Sequence, residues 1–93
     1  MKKKNITSGL NKVLYFRADW CQPCKMIGPV VDELKAEGLN FKKIDVDDDA
    51  NKKIVEKYGI MSIPAFILIG GGVEKKRLLG IQSKQVLRDL LRD

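Results

Sequence analysis

Trp20-Cys21-Gln22-Pro23-Cys24-Lys25 holds both cysteines of this 93-residue chain, so any sulfur chemistry belongs to this pair. Two cysteines separated by two residues can close a disulfide within one turn, and either thiolate can attack a bond formed by the other. The leading reading is a redox dithiol that switches between two states. As a structural staple the pair is poorly placed. The entropy removed from an unfolded chain grows with the loop, giving about 2 kcal/mol for four residues against about 3 for fifteen. Structural zinc is half provided for, but the chain has no third cysteine and no histidine. Carboxylates or a second chain would have to complete a metal site.

Upstream, Val13-Leu14-Tyr15-Phe16 is a β-favouring run that delivers the chain to the cysteines. Downstream, Met26, Ile27, Val30, Val31 and Leu34 recur at helical spacing, Pro23 suits a first turn that needs no amide hydrogen, and Gly38 stands past the end. These signals predict a helix over 22–37, with the cysteines at a strand-to-helix junction. Pro29 removes the amide that would bond the carbonyl of Lys25, which predicts a bend. Residues 39–46 read as a second strand in which Phe41 is out of phase with Ile44 and Val46, as a bulge or a change of exposure would produce. One of Asp47, Asp48 and Asp49 can cap a helix that carries Ile54, Val55 and Tyr58 inward and stops at Gly59.

Ala65-Phe66-Ile67-Leu68-Ile69 is continuously apolar, as a strand covered on both faces requires. Gly70-Gly71-Gly72 turns the chain into 73–79, where Glu74, Lys75, Lys76 and Arg77 suit an edge strand. Ser83 caps a last helix with Val86, Leu87, Leu90 and Leu91 on one face. The order is βαβαββα, an α/β class.

With 44% hydrophobic residues, the chain is read as one compact domain over 1–93. Met1-Lys2-Lys3-Lys4 looks like the charged start of a secretory signal, but Lys12 and Arg17 interrupt the stretch after it and no apolar run of signal length appears. A cytoplasmic protein is expected, and there a lone dithiol is catalytic rather than structural. The net charge of +6 raises the question of nucleic acid or acidic membrane. Its distribution argues against both: basic residues are scattered, Asp45, Asp47, Asp48 and Asp49 form an acidic island, and no basic stripe with interleaved aromatics exists.

From Val13 to Leu91 the chain resembles the thioredoxin family. The resemblance runs through Trp20 to Lys25, Met26-Ile27-Gly28-Pro29, Lys43-Ile44-Asp45-Val46-Asp47, Lys57-Tyr58-Gly59-Ile60, Ser62-Ile63-Pro64, Gly72 and Gly80, in that order. It implies a thioredoxin fold with a four-stranded mixed central sheet flanked by helices. The family's first strand and helix are expected to be shortened or absent, with residues 4–7 as a brief edge strand. The implied function is protein disulfide reduction by dithiol-disulfide exchange, with no bound cofactor beyond the redox-active pair Cys21 and Cys24. Disulfide-containing proteins are the implied substrates, an NADPH-dependent flavoprotein thioredoxin reductase the implied partner, and a monomer the implied state. The resemblance also makes the Ile63–Pro64 bond cis. It places Pro64 facing the disulfide and assembles a docking groove from Trp20, Ser62, Ile63, Pro64, Leu79, Gly80 and Ile81. Gly80 suits a close backbone approach.

Elementary chemistry agrees on the sulfurs. Cys21, at a helix amino terminus, feels unpaired amide hydrogens that favour thiolate, and exposure would make it the nucleophile. Cys24, one turn inside, should stay a thiol until a mixed disulfide forms, and then resolve it. Three departures from the family pattern concern the tuning of this pair. Gln22 stands before Pro23 where glycine is usual. Tyr15 falls where the family has a buried aspartate that relays the resolving cysteine's proton, and a phenol is a poor base near pH 7. Lys43, which matches that aspartate's lysine partner, is then left unpaired. It either serves as a neutral base or reaches solvent while water carries the proton. Two rival functions stay open: a glutathione-dependent or isomerase-like redox protein, and a binding module whose groove clamps a partner.

Overall fold

The structure, a computed structural model, describes residues 11–92. The strand expected over 4–7 lies outside the described residues. The elements are β1 (Asn11–Arg17), α1 (Gln22–Ala36), β2 (Phe41–Asp45), a 3-10 turn (Asp49–Asn51) running into α2 (Lys52–Lys57), β3 (Ala65–Gly70), β4 (Val73–Leu79) and α3 (Lys84–Leu90). The sheet order is β2-β1-β3-β4. Strands β1 and β2 run parallel, joined by the crossover through α1, whereas β1/β3 and β3/β4 are antiparallel. The expected thioredoxin-type architecture, a mixed four-stranded sheet between helices, is what forms.

Strand side chains alternate between faces, and here both faces are covered. Val13, Tyr15, Phe41, Phe66 and Leu68 pack with Ile27, Val31 and Leu34 of α1 and Leu87 and Leu90 of α3. Leu14, Phe16, Ile44, Ala65, Ile67 and Ile69 point the other way, where Ile54, Val55 and Tyr58 cover them. Phe41 and Ile44 are out of phase because each is buried on a different face. Of the two explanations for that phase break, exposure applies and a bulge in β2 does not; the sheet's register shift lies between Leu68 and Ile69 of β3, which pair with Lys76 and Glu74 and leave Lys75 over.

The caps form as the side chains allow. Ser83 Oγ accepts from the Val86 amide at 3.1 Å, and Asp48 Oδ1 accepts from the Ala50 amide at 2.9 Å. Met26 and Val86, expected inward, are exposed because the covered stripes of their helices are narrow: Ile27, Val31 and Leu34 on α1, and Leu87 and Leu90 on α3. No helix among the described residues is long and apolar enough to cross a membrane.

Candidate active site

Central strand β1 ends at Arg17, and the chain turns through Ala18, whose carbonyl accepts from the Cys21 amide at 3.2 Å. This sets Cys21 as the N-cap of α1, with extended backbone at φ −86° and ψ 109°. Its Sγ accepts from the Cys24 amide at 3.2 Å, so a sulfur stands where serine or aspartate usually caps a helix. Cys21 and Cys24 are joined as a disulfide, their Cα atoms 5.2 Å apart. Gln22 and Pro23 occupy the exposed first turn, where a missing proline amide costs no helical bond.

Exposure does not separate the two cysteines in this state, since Cys21 is 4% and Cys24 2% accessible. Their asymmetry is electrostatic. Only Cys21 Sγ caps the helix at the end where amide dipoles converge, while Cys24 lies one turn inside.

The predicted groove residues meet around this disulfide. The Ile63–Pro64 peptide is cis, and the Ile63 carbonyl lies 3.8 Å from Cys21 Sγ. The Gly80 amide donates to the Pro64 carbonyl at 2.8 Å, tying Leu79-Gly80-Ile81 beside it. Leu79 and Ile81 are exposed, Pro64 is buried, and Ser62 is open to solvent. Trp20 is 66% exposed, and its Nε1 donates to Asp47 Oδ2 at 2.7 Å, which fixes the indole as a lip. Gly80 is not needed for a close approach: a Cβ built there meets nothing within 4 Å, and the requirement is its φ of 84°.

Two contributors were invisible to motif reading. A cavity of about 480 Å³ beside Trp20 is lined by Val46, Val55, Ile60, Met61, Ser62 and Ile63. Met61 is 96% exposed, an apolar side chain held out where it lines this cavity. Asp47, read as a helix-cap candidate, instead anchors Trp20. Only the alternation of Met61 and Ile63 across a loop could have pointed to this face, and a loop has no fixed period.

On the opposite flank, Tyr15 is fully buried under Cys24. Its hydroxyl donates to the Cys24 carbonyl at 3.1 Å, and its ring stacks on Phe66 with centroids 5.0 Å apart. Burial pushes the Tyr15 phenol above its ordinary value; Arg17 opposes this and Asp32 adds to it. Lys43 is not left without a partner as expected. Its Nζ is 2.6 Å from Asp32 Oδ1 of α1, with both side chains partly open to solvent. Asp32 escaped the sequence reading because α1 and β2 must be packed before the two residues are neighbours.

The raised Tyr15 value has a consequence for stability. The unfolded tyrosine ionises near pH 10, the folded one only higher, so above about pH 10 the unfolded state binds fewer protons and stability falls as pH rises. Below that pH this group adds no slope. In Tyr15→Phe the urea midpoint is expected to lose that part of its alkaline decline, which parallel denaturation series at about pH 8 and pH 10.5 measure. Equal alkaline decline in both proteins contradicts the assignment.

The described residues contain no group of three or more His, Cys, Asp or Glu side chains able to hold a metal ion. The thioredoxin family model matches residues 2–93. A thioredoxin of Rickettsia felis is 38% identical over 89 residues, covering 95% of this chain and 85% of that protein. One from Bacillus subtilis is 40% identical over 77 residues, covering 82% and 74%. Among solved structures, thioredoxin from Fasciola hepatica superposes with a TM-score of 0.78 at 34% identity, over 91% of this chain and 81% of that one. The fold, the helix-capping cysteine pair and these relatives agree, and the chain belongs to the thioredoxin family, as a thiol-disulfide oxidoreductase that reduces disulfides by exchange at Cys21 and Cys24.

Proposed function

We propose that Cys21 is the attacking thiolate and Cys24 the resolving thiol of a general protein-disulfide reductase formed by residues 1–93 as one domain. The observation that carries this reading is the bond from the Cys24 amide to Cys21 Sγ, because a donor that stabilises charge on one sulfur selects that sulfur as nucleophile. Cys21 thiolate attacks a target disulfide and releases one target thiolate; Cys24 then attacks Cys21 Sγ and releases the second. Target segments dock in extended form across Trp20, Ser62, Ile63 and Pro64, with Leu79, Gly80 and Ile81 on the far side. Gln22 and Pro23 tune the pair from the first turn of α1. The protein acts as a cytoplasmic monomer without nucleic-acid or membrane partners, needs no bound cofactor, and is recharged by an NADPH-dependent flavoprotein reductase.

An insulin-disulfide reduction assay decides between this and its rivals. Turnover is expected with NADPH and thioredoxin reductase and not with glutathione alone. Turnover that requires glutathione would transfer the protein to the glutathione-dependent class. A Cys21→Ser, Cys24→Ser double variant that kept full biological activity would mark a binding module.

A further inference from the structure

The resolving step leaves a proton unassigned. Cys24 is buried, its thiol must lose a proton before its sulfur can attack, and burial disfavours the charged form. Tyr15 is no proton acceptor, since a buried phenol stays neutral and a neutral phenol is a negligible base; its hydroxyl hydrogen goes to the Cys24 carbonyl. A cavity of about 320 Å³ reaches Cys24 from the α1/β2 side. It is lined by Tyr15 and Arg17 of β1, Lys25 and Asp32 of α1, and Lys43 and Asp45 of β2, which are its titratable and charged groups.

Two carboxylates are available there, and their oxygens are differently engaged. Asp45 Oδ1 accepts from the Asp47 amide at 2.9 Å, and Oδ2 faces the Arg17 guanidinium at 3.5 Å. Asp32 has Oδ1 on Lys43 Nζ at 2.6 Å, and among the described residues Oδ2 has no hydrogen-bond or ion-pair partner, which leaves it to accept a proton. Cys24, Gly28 and Asp32 recur every fourth residue and so lie along one face of α1. Gly28 lines the cavity between them, and a Cβ built on it meets nothing within 4 Å. Pro29 deprives the Lys25 carbonyl of its helical donor, adding an acceptor where Lys25 borders the same space. Helix rise separates Cys24 from Asp32 by about 12 Å along the axis, too far for contact, but the space is polar and large enough for water.

We propose that Asp32, positioned by Lys43, is the proton acceptor for Cys24, working through water along the face that Gly28 keeps open. The inference rests on Cys24 being the resolving thiol. The thiol proton passes to water and from water to Asp32 Oδ2 as the Cys24 sulfur attacks Cys21 Sγ. The Cys21–Cys24 bond forms, the bond from Cys21 to the target breaks, and the target leaves as a thiolate that solvent protonates. When the disulfide is reduced again the proton returns by the same path.

The test is stopped-flow release of the second half of a symmetric fluorescent peptide disulfide from the reduced full-length protein, at saturating peptide, from about pH 6 to pH 9.5. General acid–base assistance contributes about 100-fold at its low end, so Asp32→Asn is expected to slow release roughly 10- to 100-fold near pH 7. The deficit should close at high pH, where the Cys24 thiol ionises unaided. Gly28→Leu, which places a side chain in the water path and keeps Asp32, should show the same pH-dependent deficit. Cys21 alkylation rates should stay at the parental value in both variants. An unchanged profile, or an offset equal at every pH, overturns the relay and assigns the proton to bulk solvent or to a packing effect. If Cys24→Ser fails to trap the peptide on Cys21, the role assignment fails and takes the relay with it. If it traps the peptide while Asp32→Asn is silent, only the relay fails.

Discussion

Cys24→Ser is expected to accumulate a stable mixed disulfide on Cys21, and Cys21→Ser to lose disulfide reduction down to the uncatalysed background. The difference follows from the helix cap. Cys21 Sγ receives the Cys24 amide hydrogen and caps the end of α1 where the dipoles converge, so it is the sulfur expected to carry the thiolate and make the first attack. Serine at position 24 removes the second attack and leaves the first intact, whereas a hydroxyl at position 21 is no nucleophile near neutral pH. Mass spectrometry of each variant after mixing with a peptide disulfide reads the outcome directly. Trapping by Cys21→Ser in place of Cys24→Ser would reverse the assignment. In the reduced parent, Cys21 should also be alkylated much faster than Cys24, and equal rates would refute the electrostatic argument, since accessibility does not distinguish the two.

The second large effect is on stability. Phe66, the second residue of β3, is fully buried between β1 and β4 and stacks on Tyr15 with an interplanar angle of 7°. Phe66→Ala removes that stack and leaves a cavity between the sheet and α1, at a cost of about 3–5 kcal/mol. A domain of this size has roughly 5–14 kcal/mol of stability, and each kcal/mol moves Tm by about 4–8 °C. A fall in Tm of roughly 20 °C is therefore expected, with loss of activity at moderate temperature following from unfolding. Phe66→Leu, which conserves more of the volume, should lose much less. Calorimetry of the two variants checks the prediction, and a Phe66→Ala Tm within about 5 °C of the parent would contradict it.

Much of this protein is legible along the chain because its decisive signals are local. The helix over 22–37 was readable to within a residue of Gln22–Ala36, since Pro23, the spacing of Ile27, Val31 and Leu34, and Gly38 all act through neighbouring turns. The unbroken apolar run of β3 announced a strand covered on both sides, and all six of its residues are buried. The phase conflict between Phe41 and Ile44 was the same message: of a bulge and a change of exposure, the second holds, because burial on two faces breaks the single alternation by which a strand is recognised. Met26 and Val86 misled for the converse reason: helical spacing says which residues share a face and not how wide the covered stripe is.

At the site, the sequence by itself determined the chemistry. Two cysteines one turn apart at the start of a helix are a redox pair whatever surrounds them, because ring closure and the helix-end field depend only on adjacent backbone. Tertiary structure decided everything that depends on residues distant in the chain. It set Ile63 and Pro64 against Cys21 and hung Trp20 on Asp47. It also gave Lys43 a partner in Asp32, where the chain order had left it alone. Such contacts join side chains from separate elements, and their distances are set by how the helices pack on the two faces of the sheet, which no local pattern encodes.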